Sequence, residues 1–236
     1  MKNLFILLIV FSAGFIQSYS ESGWVRQNSP TTSDLWGVSF ATQNNGLAVG
    51  RNGTILRTRD GGLHWYAQNS GTTQWLLSVQ YINSRVAVIA GWGGVILTTC
   101  DGGAHWISRQ SGTTLELRYV SFVNANTGTI AGGQNYDDAI LRTTDGGVTW
   151  VKQTNCSGIG LKGVYNLDAN TGYVTGWRGI IKTTDGGNSW SCSPTSQSLE
   201  GLYFLNANTG IIVGYWGTLL RTTNGGSSWI VRTVSS

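Results

Sequence analysis

Outside any repeated motif, the acids of this 236-residue chain are Glu21, Asp34, Glu116, Asp137, Asp138, Asp168 and Glu200. Glycoside hydrolysis needs two carboxylates about 5 to 10 Å apart across the sugar. Of these, Asp34, Glu116 and Glu200 approach the entrances of first strands in the repeat described below, so a pair facing across a shared channel stays open. Nothing around them singles one out. Asp137 and Asp138 are adjacent acids without further spaced ligands, a poor calcium pattern that reads better as a solvated loop. His64 and His105 stand where other copies of the repeat carry Thr or Ser, and so read as variable surface positions. No Ser or Cys has a nucleophile's setting, and no Gly-rich loop opens a helix for phosphate. Neither a cofactor nor a metal is expected.

Most of the remaining chemistry is spent on repetition. "ILRTTDGGVTW" at 140–150 has near copies at 55–65, 96–106, 180–190 and 219–229. The closing tryptophans are Trp65, Trp106, Trp150, Trp190 and Trp229, and Trp24 lies one period before the first. A period near 40 residues holding four short apolar strands, "WGVSF", "GLAVG", "TILRT" and "WYAQ" in the first unit, predicts an all-β propeller of four-stranded antiparallel blades. The acids Asp60, Asp101, Asp145 and Asp185, with Asn224 in the last copy, are placed to accept hydrogen bonds from their own turns. Asn can cap a turn but cannot serve as an acid, so these residues and the five tryptophans read as structural. Five blades in a closed ring are favoured, because closure removes exposed sheet edges. An open arc, a strand exchange at the seam and part of a larger ring are the alternatives.

Binding chemistry collects in the turns between second and third strands: Arg51 with Asn52, Trp92, the longer Gly133–Asp138 stretch with Tyr136, Trp177 with Arg178, and Tyr215 with Trp216. These lie on the face opposite the acidic turns. Exposed aromatics beside arginine suit a contact surface, and an insertion in a repeat array often marks the binding face. A second reading stays open, in which the rings fold down as lids over the blade ends. Trp36, Leu77, Arg118, Lys162 and Glu200 hold equivalent positions before the first strands, and Arg118 with Lys162 would make a small basic segment at the channel mouth.

The eight-residue T-x-D-G-G-x-x-W signature is the Asp-box. With stretches such as "VSFATQNNGLAVGRNGTILRTRDGGLHW" and "LYFLNANTGIIVGYWGTLLRTTNGGSSW", the chain resembles the photosystem II assembly and stability factor family. That resemblance implies a non-catalytic propeller that binds or assembles proteins, and a basic patch on its rim. Members typically form seven blades, where five units stand here. Asp-boxes also mark sialidases, xyloglucan-cleaving glycosidases and sortilin-like receptors, so a carbohydrate-active protein is the alternative. The sialidase-type Arg-Ile-Pro stretch is absent from the sequence.

Residues 1–20 read as an export signal: Lys2, an apolar run from Leu4 to Ile16, and small residues at Ser18 and Ser20. The expectation is a propeller domain over 21–236 in the periplasm or outside the cell, with no membrane span. Without Lys2, fourteen basic and eleven acidic residues remain, a net charge of +3. That is too little for a nucleic-acid binder. A monomer with a protein partner is expected. Of three cysteines at least one is unpaired. A Cys156–Cys192 bridge is disfavoured, because the two fall at different places in their units.

Overall fold

The computed structural model describes residues 26–154, 156 and 158–231. The stretch read as an export signal and Trp24 lie outside them. Twenty strands form five antiparallel sheets of four, each in sequence order. Blade 1 holds β1 (Leu35–Phe40), β2 (Gly46–Gly50), β3 (Ile55–Thr58) and β4 (Tyr66–Gln68). In blade 2 are β5 (Leu76–Tyr81), β6 (Ala87–Gly91), β7 (Ile96–Thr99) and β8 (Ile107–Arg109). Blade 3 has β9 (Leu117–Phe122), β10 (Gly128–Gln134), β11 (Asp137–Thr143) and β12 (Val151–Lys152), and blade 4 has β13 (Leu161–Asn166), β14 (Gly172–Gly176), β15 (Gly179–Thr183) and β16 (Ser191–Pro194). Blade 5 closes the series with β17 (Leu199–Phe204), β18 (Gly210–Gly214), β19 (Leu219–Thr222) and β20 (Ile230–Val231). Among the described residues no helix is long and apolar enough to cross a membrane.

The short strands of blades 2, 3 and 4 are apolar on both faces because each of these sheets is packed between two others. Leu47, Val49 and Ile55 of blade 1 meet Leu76, Val79, Tyr81 and Ile89 of blade 2, and the pattern repeats at the next three junctions. Hydrogen bonds cross these junctions as well. Ser39 Oγ accepts the Tyr81 amide (2.9 Å) and Ser78 Oγ accepts the Val120 amide (3.3 Å).

The ring expected from the sequence is not closed. First strands pack in series from β1 to β17, and no comparable packing returns from β17 to β1. Leu35, Val38 and Phe40 are 41%, 65% and 44% exposed, whereas Leu76, Val79 and Tyr81, at the same positions one blade on, are 0%, 7% and 8%. At the other end Tyr203, Leu205 and Val213 are exposed. Closure would have removed these surfaces, but the edges it was expected to remove are managed otherwise: each blade's outermost strand is only two to four residues long. Gln27, Asn28 and Ser29 run along the blade 1 face and line with Leu35, Trp36 and Val38 an open apolar depression of about 400 Å³.

The Asp-box turns are built by a hydroxyl as much as by a carboxylate. Thr58, Thr99, Thr143, Thr183 and Thr222 are buried. In blade 1 the Thr58 hydroxyl donates to Asp60 Oδ1 (2.8 Å) and accepts the Gly62 amide (2.9 Å), and Asp60 Oδ1 accepts the His64 amide (3.0 Å). The same threonine-centred pattern recurs in the other four turns. Asn224 keeps it with its amide oxygen, which takes the Thr222 hydroxyl and the Ser228 amide. Glycine is required beyond its positive φ: a Cβ on Gly103 would stand 2.8 Å from Leu47 of the preceding blade. Trp65, Trp150 and Trp229 then stand edge-on to Phe40, Phe122 and Phe204 at the ends of their own first strands.

These bonds hold the box carboxyls acidic. The backbone of His64, then its ring, then Thr58 lower Asp60 to about 2. Ser189 and Thr183 lower Asp185 to about 2. At Asp145 burial pushes upward, but bonds from Thr149 and Thr143 outweigh it and bring the group to about 2. An unfolded Asp titrates near 3.9. Each folded value lies below that, so the stabilisation is complete above about pH 4 and lost as pH falls toward 2. Acid titration followed by far-UV circular dichroism should therefore show unfolding within that window. The Asp185→Asn variant should be less acid-sensitive, since an amide does not titrate there.

Candidate functional site

Each first strand runs antiparallel to the second, so its start and the turn between second and third strands meet at one end of the blade. In blades 1, 2, 4 and 5 a backbone bond ties them: the amides of Arg51, Trp92, Trp177 and Tyr215 donate to the carbonyls of Asp34, Trp75, Gly160 and Ser198. The sequence-predicted rim residues are thus brought to one face. They form two clusters there.

The first cluster spans blades 1 and 2. Trp75 lies between Trp36 (centroids 5.0 Å apart) and Trp92 (4.3 Å, stacked), and the Arg51 guanidinium sits 5.0 Å from the Trp75 centroid. Here Trp92 folds onto its neighbour, as the lid reading has it. A depression of about 440 Å³ bounded by Trp36, Trp75, Trp92, Arg118 and Tyr119 adjoins the stack.

The second cluster spans blades 3 to 5. Tyr136 meets Trp177 edge-on at 6.0 Å, Arg178 lies 4.4 Å over the Tyr136 ring, and the Lys162 ammonium lies 4.7 Å over Trp177. Across a cleft of about 700 Å³ stand Tyr215 and Trp216, with Pro194, Thr195, Ser196 and Ser198 also lining it. Here the rings are more open: Trp216 is 90% exposed, while Trp177, at 43%, lies against Tyr136 and Lys162. Both Tyr136 and Trp216 have positive φ (68° and 53°), a conformation bulky L-residues seldom adopt. Relieving it at Trp216 should stabilise the protein: Trp216→Gly is expected to raise the unfolding free energy by about 1 kcal/mol in denaturant titration. The exposed ring is held at a conformational cost, a pattern that clusters at functional sites.

Between the clusters, at the channel mouth, Arg118 pairs with the buried Glu116. Lys162 is pushed below its ordinary value by burial and by Arg118, with Glu200 and Glu116 acting against them. Arg118 borders both depressions. The basic segment expected of Arg118 and Lys162 is therefore a mixed-charge group that includes Glu116 and Glu200. Among the described residues no group of three or more His, Cys, Asp or Glu side chains is placed to hold a metal ion.

Two expectations are corrected here. Asp138 is no solvated loop residue. Residues 133–138 lengthen the β10–β11 hairpin, and the buried Asp138 carboxylate accepts the amides of Ile159 (2.8 Å), Gly160 (3.0 Å) and Leu161 (3.3 Å). Cys156 and Cys192, expected apart, are bonded, with Cα atoms 6.5 Å apart. Their repeat positions differ, but they belong to adjoining parts of the fold: Cys156 is in the connector entering blade 4, and Cys192 is on that blade's outer strand. Cys100 is free and exposed. Trp36 is expected at the rim from its repeat position, but its contact with Trp75, and that of Trp75 with Trp92, needed the fold to be seen.

Residues 16–115 match the sequence model of the family described as Photosynthesis system II assembly factor YCF48. A search of curated proteins found no match. Among solved structures, one described as YCF48 bound to D1 peptide is 19% identical, with a TM-score of 0.58 over 86% of this chain and 82% of that one. YCF48 from Cyanidioschyzon merolae is 20% identical, with a TM-score of 0.66 over 86% of this chain and 73% of that one. A Niastella koreensis GH74 enzyme is 18% identical, with a TM-score of 0.61 over 86% of this chain but only 32% of its own. In sequence over residues 16–115, and in fold across its described length, the chain is thus similar to the photosystem II assembly factors among Asp-box propellers.

Proposed function

We propose that this protein is an exported, non-catalytic scaffold that binds an extended segment of a protein partner in the cleft between Tyr136, Trp177 and Trp216. The observation that carries the reading is the cleft itself: exposed rings backed by Arg178 and Lys162, two of them on backbone that disfavours such residues. Large, rigid rings with a cation nearby give contact area and directional bonds at small entropic cost. The relative described as bound to a peptide supports the choice of ligand class. The apolar stretch at residues 4–16 supports export, and so does the disulfide, since such bonds persist in oxidising compartments. Each box carboxylate is engaged by its own turn, which leaves little for catalysis.

To test this, peptides of about a dozen residues would be selected on the wild-type protein from a phage-displayed random library and titrated by calorimetry. The double variant Trp177→Ala/Trp216→Ala is expected to lose about thirtyfold in affinity with its unfolding midpoint unchanged. Equal affinity would reject the cleft as the site.

A carbohydrate-active reading has its own support in Glu116 and Glu200, which both act on Lys162 at the channel mouth, and in the GH74-like fold. Turnover in a chromogenic-glycoside screen that Glu116→Gln or Glu200→Gln abolishes would replace the scaffold reading.

A further inference from the structure

Blades 2 and 3 are entered by connectors that tie themselves. In "NSGTT" and "QSGTT" the hydroxyls of Ser70 and Ser111 donate to the carbonyls of Thr72 and Thr113 (both 3.0 Å). Those carbonyls press against Gly53 and Gly94 of the preceding blade, where a Cβ would come within 1.9 Å of them. The connector entering blade 4 reads "NCSGIG". There the Asp138 carboxylate reaches across from blade 3 and takes three successive amides, Ile159, Gly160 and Leu161.

That connector is what the second cluster is built on. The Gly160 carbonyl accepts the Trp177 amide (3.2 Å), the Ile159 carbonyl accepts the Arg178 amide (3.2 Å), and the Gly158 amide donates to the Tyr136 carbonyl (3.2 Å). A Cβ added to Gly160 would lie 3.7 Å from the Trp177 ring, so the ring rests on bare backbone. The arm from blade 3 (Tyr136) and the arm from blade 4 (Trp177, Arg178) are thus both bonded to residues 158–160. Asp138 holds those residues from one side, and the Cys156–Cys192 bridge holds the connector from the other.

We propose that Asp138 is the positioning residue of the aromatic cleft: by clamping Ile159–Leu161 it fixes the approach of Tyr136 to Trp177 and Arg178, and with it the affinity for a ligand. This rests on the cleft being the binding site. Asp138 itself is not among the residues that line the cleft.

Asp138→Asn is the matched test, because the amide keeps the shape and one accepting oxygen but presents an NH₂ group where Oδ2 accepted Ile159. Hydrogen exchange followed by mass spectrometry reads the clamp without a ligand. Peptides spanning 158–161 and 177–178 should exchange at least about tenfold faster, while those from blades 1 and 2 keep their wild-type rates. The selected phage peptides should bind the variant about tenfold more weakly, with the unfolding midpoint close to that of the wild type. Wild-type exchange at 158–161 and 177–178 would overturn the proposal whatever the peptides do. Faster exchange with unchanged affinity would overturn it too, provided Trp177→Ala/Trp216→Ala loses binding. If that double variant also binds normally, the cleft reading is what has failed. General instability would instead raise exchange in blades 1 and 2 as well, and that outcome too would overturn the proposal.

Discussion

Leu76→Ala is expected to destabilise the protein by about 2–5 kcal/mol, and Leu35→Ala, the same position of the repeat one blade earlier, by well under half of that. Leu76 is fully buried between blades 1 and 2, where truncation removes transfer energy and leaves a cavity among Leu47, Val49 and Ile55. Leu35 faces the open seam at 41% exposure and already borders an open depression, so truncation there leaves little new buried space. Urea titration of both variants makes the comparison. Equal losses would mean that the first and last blades meet in solution and that the arc is closed. Val79→Ala and Val38→Ala form an independent pair with the same logic, 7% against 65% exposed.

The second large effect is expected from the disulfide. Cys156 and Cys192 are 36 residues apart, and a bridge across a loop of that length stabilises by about 2–4 kcal/mol, chiefly by restricting the unfolded chain. Cys156→Ala/Cys192→Ala should lower the urea midpoint accordingly. Cys100→Ala should leave it unchanged, since that thiol is free and exposed. Dithiothreitol should reproduce the double variant's midpoint in the wild type and have no effect on the double variant itself. A midpoint indifferent to both treatments would show the bond absent in solution.

Much of the fold could be read from the chain because each blade declares itself locally. Strand length, turn glycines and the T-x-D-G-G-x-x-W signature all act within one hairpin, and the five sheets stand where the pattern puts them. The box threonine ends the third strand of each blade. Its hydroxyl is the centre of the turn, and the signal was there: five threonines and no valine, although valine suits a strand end as well. Ring closure was not legible, because it depends on the accumulated angle between sheets, to which no single residue testifies. The same holds for Cys156 with Cys192 and for Asp138 with Ile159, contacts between neighbouring units that a search along the repeat passes over. The rim turns were found from their composition, but not their division into a folded-down stack around Trp75 and an open cleft around Trp177.

A broken circle also behaves differently when it melts. In a closed array every member has two neighbours, and loss of one costs two interfaces. Here the terminal sheets each have one, so disassembly can begin at either end and advance inward like a zip. Its energetics are those of a short one-dimensional chain, in which blade 3 is the last to let go.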